Sequence, residues 1–144
     1  MHERREALAV RDTEADIITA LTMWLDHKNL DVPVSTRIPN NAGRTGPDRF
    51  LRVYVIGADG DAKFTATPRF TLEAWARTET DAHSLWREAS VALQALHSPL
   101  WGYKQYGVPF NNPHPDHPSY VRYSAQIGMT YALTSIPLEQ KKGN

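Results

Sequence analysis

The sequence predicts an α+β fold: two helices packed on one face of a mainly antiparallel sheet of about four strands. Three observations lead there. The first is a change of period within residues 68–97. Phe70, Leu72, Ala74 and Ala76 alternate with Thr71, Glu73, Trp75 and Arg77, the two-residue repeat of a strand. Ala82, Leu85, Trp86, Ala89, Leu93 and Leu96 then recur at three- and four-residue steps, as on one face of a helix. The second is the Asp59-Gly60 pair between two runs rich in β-formers, a hairpin signal that makes those strands antiparallel. The third is a stripe of Ile17, Ile18, Leu21, Trp24 and Leu25 ahead of the strands. Two helices covering one face of an antiparallel sheet is the economical way to bury both stripes.

Residues 1–11 either extend the first helix or form a flexible N-terminus. The helix starts near Asp12 or Thr13, where Thr13 and Asp16 approximate a capping box, and ends near Asn29 ahead of Asp31 and Pro33. Val32 to Ile38 reads as a short strand that Pro33 places at an edge or delays. Residues 40–48, with Gly43, Gly46 and Pro47, are a flexible loop. Phe50 to Ile56 is a strand with Leu51, Val53 and Val55 on one face and Arg52 and Tyr54 on the other. Its partner runs from about Phe64 to Ala76, with Pro68 marking a bulge or an edge. The second helix spans about Thr80 to His97, with Thr80 as its cap and Asp81 near the positive end of its dipole. Residues 102–119 are dense in Pro, Gly and aromatics and read as a long projecting loop. Tyr120 to Thr134 alternates as one strand, longer than the usual five or six residues, with a bend at Gly128. Residues 138–144 read as a flexible, solvated tail. One domain accounts for all 144 residues.

Composition narrows the function classes. A hydrophobic content of 41% and a charged content of 22% are those of a globular protein able to bury a core. Sixteen basic and sixteen acidic residues cancel. That balance argues against a dedicated nucleic-acid binder and removes net self-repulsion as a barrier to association. With no cysteine, disulfides and thiolate chemistry are excluded. No run approaches the roughly 20 apolar residues that span a bilayer, and the charged N-terminal segment is not read as a secretory signal.

Candidate chemistry is sparse. His114, Asp116 and His117 carry ligand-type side chains, but Pro115 and Pro118 extend the backbone and splay them, so a solvated loop is expected and neither metal nor cofactor. Glu73, Asp81 and Glu88 read as solvated or salt-bridged carboxylates rather than an acid–base set. No nucleophile elbow, zinc-protease helix, Walker A or dinucleotide fingerprint is present, and the chain is not expected to be an enzyme. Arg37, Arg44, Arg49, Arg52 and Arg69 cluster in the strand–loop–strand region. They form a patch facing passing DNA, or inter-subunit pairs with Glu73, Asp61 or Asp48, or an ordinary charged surface. Trp75 lies on the strand face opposite the core residues, which places it either in a two-sided core or at an interface.

Three strings in order carry a resemblance: VPVSTRIPNN after the opening helix, then RFLRVYVIG, then PRFTLEAWARTETDAHSL. Across roughly residues 12–97 this pattern resembles the tail terminator proteins of long-tailed bacteriophages, particularly those infecting actinobacteria. The C-terminal third matches only in general plan. The resemblance implies a structural virion protein, made in the host cytoplasm and placed at the head-proximal end of the tail. It implies a ring, usually a hexamer, that caps the tail tube, stops its polymerisation and presents a surface for head attachment. Its partners would be other copies of itself, the tail tube protein and the head–tail connector protein, with DNA passing through the lumen without sequence-specific binding and no membrane involved. On this reading Glu73, Trp75 and Arg77, with Arg49 and Arg52, make lateral subunit contacts. Arg44, Tyr106, Phe110, His114 and His117 sit on the loops that meet axial partners.

Two alternatives accompany this reading. One is a head–tail joining or minor tail protein of similar size. The other, of a different class, is a small α+β ligand-binding domain or enzyme that uses the aromatic segment as a lid.

Overall fold

The fold is α+β: two helices and a five-stranded, mostly antiparallel sheet. In the computed structural model, residues 5–9, 11–59 and 64–138 are described, with the side chains of residues 11–58 and 64–133. The elements in chain order are β1 (Arg5–Ala9), α1 (Thr13–His27), β2 (Val34–Ser35), β3 (Phe50–Asp59), β4 (Thr65–Ala76), α2 (Glu79–Gln94), β5 (Trp101–Asn111), β6 (Val121–Ala132) and β7 (Thr134–Leu138). The main sheet runs β2-β3-β4-β6-β5, and β1 with β7 forms a separate antiparallel pair.

The helix ends follow from local chemistry. The Asp12 carboxylate accepts the Ala15 amide at 3.1 Å and caps α1. Asn29 takes φ 57° at the other end. There the Leu30 amide donates to Leu25 O and the Asn29 amide to Asp26 O, the paired bonds of a Schellman ending. The cap of α2 is Thr78, whose hydroxyl accepts the Asp81 amide at 3.2 Å. Thr80, the cap expected from sequence, lies inside the helix.

One face of the sheet and both helices share the core. Ile17, Leu21 and Leu25 of α1 meet Leu85, Trp86, Ala89 and Leu93 of α2 above Leu51, Val53, Leu72, Ile127 and Met129. The Trp86 indole donates to Leu72 O at 3.0 Å, so this bulky residue is buried without leaving its N–H unpaired.

Several expected elements differ. The sheet has five strands, not four. Residues 5–9, expected to be helical or flexible, pair with β7 instead. The strand expected at 32–38 shrinks to two residues and lies parallel to β3, as Pro33 and Pro39 confine it. The turn after Asp59 lies outside the described residues, but β3 and β4 are antiparallel neighbours. Pro68 is not at an edge: β4 is central, and the bulge sits opposite, between Val55 and Gly57 of β3. The largest correction is in 102–119, where residues 101–111 form a strand and only the stretch beyond them is a loop. The final strand ends at Ala132, and Thr134–Leu138 pairs elsewhere as β7. Of the expected tail, residues 139–144 lie outside the described residues.

Candidate functional site

The sheet face away from the helices carries a polar and aromatic surface built by cross-strand register. Arg52 opposes Glu73 and Tyr54 opposes Thr71 across β3 and β4. Ser124 opposes Glu73 and Arg122 opposes Trp75 across β4 and β6. At the centre, Glu73 is only 2% exposed. Its carboxylate accepts from Arg52 Nη1 at 3.4 Å, Tyr54 OH at 3.5 Å and Trp75 Nε1 at 3.1 Å, and Arg122 Nη1 lies 3.5 Å away. A buried carboxylate is tolerated only when ion pairs and hydrogen bonds replace its water, and these four donors do so. Both arginines also cover rings: Arg52 lies 4.5 Å from the Tyr54 centroid and Arg122 5.3 Å from that of Trp75.

Toward one end of this face, two loops close over Trp75, which is fully buried. Phe50 stacks on it at 5.0 Å, Tyr120 meets it edge-on at 5.9 Å, and the His114 and His117 rings pack within 5.8 Å. Arg77 ties the loops together, donating to Ser119 Oγ at 3.1 Å and to Gly43 O while lying over the Tyr120 ring. The Tyr120 hydroxyl donates to Pro47 O at 2.7 Å.

Beyond β6 lies β5, the outermost strand, with no described strand on its other side. Its register breaks twice, between Trp101 and Lys104 and between Tyr106 and Phe110. Each break holds a glycine at positive φ, Gly102 at 64° and Gly107 at 83°, conformations that glycine adopts without strain. Val108 is 78% exposed and Phe110 54%. With Tyr106 they wall a cavity of about 400 Å³ floored by Thr71, Glu73 and Ser124. Close packing is maintained at Gly128, where an added Cβ would lie 3.1 Å from the Tyr106 hydroxyl oxygen.

The opposite sheet edge is treated differently. Val55 of β3 donates its amide to the Glu14 carboxylate of α1 at 3.0 Å, so a side chain occupies a ladder position that another strand would otherwise use. On the helical side, Ala20, Met23, Trp24, His27, Ala92 and Leu96 line an apolar groove of about 370 Å³ between α1 and α2. Beside it, Glu88 accepts from Trp24 Nε1 at 2.7 Å and pairs with Lys28 Nζ at 2.8 Å. The bonds to Lys28 and Trp24 hold its carboxyl below the ordinary glutamate range. On β5, burial raises the Tyr103 phenol above its usual value.

The expected site residues therefore separate. Glu73 and Trp75, expected at a lateral contact, are buried within the chain; Glu73 is salt-bridged, one of its two expected states, to Arg52 and Arg122, and Trp75 takes the internal one of its two expected places. Arg52 and Arg77 spend their guanidinium groups on internal partners. Arg49 is half-buried just before β3, and Arg44 is exposed in the 40–48 loop. His114 and His117 fold back onto Trp75, while Tyr106 and Phe110 belong to an edge strand. Among the described residues, no group of three or more His, Cys, Asp or Glu is placed to hold a metal. Sequence reasoning missed Arg122 and Val108. The alternation of β6 put Arg122 opposite the core residues, but only register shows that it faces Glu73. No family model matches the chain, and no curated protein sequence matches it.

Proposed function

We propose that this chain is a structural assembly subunit, a tail terminator that joins copies of itself into a ring on the head-proximal end of a phage tail tube. The carrying observation is β5: an eleven-residue strand at the sheet edge that exposes Val108 and Phe110. Although its two bulges interrupt the backbone edge, apolar side chains protruding from an outermost strand invite association, and a chain of zero net charge does not resist it. The ordered strings across residues 12–97 that resemble those of tail terminators suggest the biological setting. On this reading the ring, of about six subunits, closes through a heterologous contact. One ring face binds the last tube ring, and the other lacks a tube-like surface and is left for the head–tail connector, with DNA crossing the lumen.

The experiment mixes purified protein with purified tail tubes and images them by negative stain, with native mass measured over a concentration series. The expected result is a ring of density at one tube end and no further tube growth. Binding to the head-side adaptor without binding to tubes would favour a head–tail joining protein. Binding to neither sinks the assembly reading.

A further inference from the structure

We infer that copies of this chain associate front to back, the β5 ridge of one seating in the α1–α2 groove of the next; only its biological setting rests on the ring reading above. The zero net charge conceals a separation. Residues 11–28 and 78–97, the helical layer, hold seven carboxylates against three basic side chains. Residues 29–59, 64–77 and 98–133, the sheet and its loops, hold eight basic side chains against five acidic. Among the described residues one layer is therefore acidic and the other basic.

The apolar features match in the same sense. On the basic side Val108 and Phe110 project, with Lys104 exposed on the same strand. On the acidic side Met23 is 67% exposed at the rim of a groove whose walls include the small residues Ala20 and Ala92. Asp26, exposed on α1 three positions beyond Met23, belongs to the same acidic layer but does not line the groove, whose own titratable side chain is His27. An apolar ridge on the basic layer thus meets an apolar groove on the acidic one. Two copies meeting ridge to ridge would set basic layer against basic layer, and groove to groove acidic against acidic. Electrostatic complementarity rejects both and selects the heterologous pairing. Such a contact leaves a free ridge at one end and a free groove at the other, so it propagates until rotation closes it.

The absence of cysteine makes single-cysteine variants clean probes. Val108→Cys and Met23→Cys proteins are mixed in equal amounts, treated with a short bis-maleimide across an ionic-strength series, and the joined peptides identified by mass spectrometry. The expected product links position 108 of one chain to position 23 of another, in about tenfold excess over 108–108 and 23–23 links at low salt, with the yield falling as salt screens the charges. A preference for 108–108 links overturns the inference. So does the absence of 108–23 links in oligomeric protein, and so does a chain that stays monomeric throughout the concentration series. The two readings fail separately: a chain that caps tube ends without 108–23 links loses this contact and keeps the terminator role. One that forms the links but ignores tubes does the reverse.

Discussion

Trp75 and Glu73 stand two residues apart on the same face of β4, and the indole N–H of Trp75 donates to the Glu73 carboxylate at 3.1 Å. The bond links an aromatic cluster under the loops to a charge cluster on the open sheet. Glu73 in turn lies between Arg52 and Arg122, both within 3.5 Å, so one carboxylate on the middle strand pairs with both cations and the cluster keeps one net positive charge.

Removing the central anion leaves two arginines side by side with no shared counterion. Breaking one partner out of a buried pair costs about 3–5 kcal/mol. Arg52 keeps 26% of its side chain in solvent, so Glu73→Ala is expected near the lower end, about 3 kcal/mol. Glu73→Gln, which keeps one acceptor oxygen for Trp75 and can donate its amide N–H to the Tyr54 hydroxyl, is expected to lose less. Urea denaturation of both variants checks the order, and equal losses would show that the lost charge alone sets the cost, with no part for side-chain volume or the remaining acceptor.

Trp75 fills the space between Phe50, Tyr120 and the two histidines, so truncation opens a cavity the loops cannot easily close. Trp75→Ala is expected to lower stability by about 3–5 kcal/mol. Because its side chain has no exposed surface, the folded fraction should retain the wild-type native mass. A change in native mass with stability intact would place Trp75 at a subunit contact instead.

The α2 cap offers a sharper local test. Thr78 accepts the Asp81 amide, whereas Thr80 is an exposed position within the helix. Thr78→Ala is expected to cost about 1 kcal/mol and Thr78→Ser to restore most of it. Thr80→Ala should change stability by less than about 0.5 kcal/mol. Thermal denaturation of the three variants suffices, and the reverse pattern would move the start of the helix.

What was legible in the sequence was what is local. The stripe of α2 and the alternation of β4 each lie within a few turns or residues, so side-chain period alone exposes them. The fate of Glu73 was not legible, because β4 is buried on both faces over its last seven residues, and the arginines that bury Glu73 arrive from Arg52 and Arg122 on two other strands. Strand β5 was hidden for another reason. Gly102, Gly107 and Pro109 break its alternation and read as loop signals, yet the glycines serve register shifts within a strand. The β1–β7 pair joins Arg5 to Leu138, a separation at which no local pattern speaks.

Glu88 links α2 to α1 through Trp24 and Lys28, and this link should be visible in acid. Hydrogen bonds from Lys28 and Trp24 lower its folded-state pKa below the ordinary value of 4.5. A carboxyl depressed in the folded state contributes stability that is present above its unfolded pKa and is lost as pH falls through the folded one. The contribution of Glu88 is thus expected in full at neutral pH, to decline once the pH drops below about 4.5, and to vanish below the depressed value. Glu88→Gln should be less stable than wild type at pH 7, and the gap should narrow on acidification. The partner is partly exposed, with 44% of the Lys28 side chain in solvent, so the neutral-pH gap should also shrink with added salt. Urea midpoints for the two proteins at several pH values give both trends, and a gap constant from pH 7 to pH 3 would assign the contribution of Glu88 to packing alone.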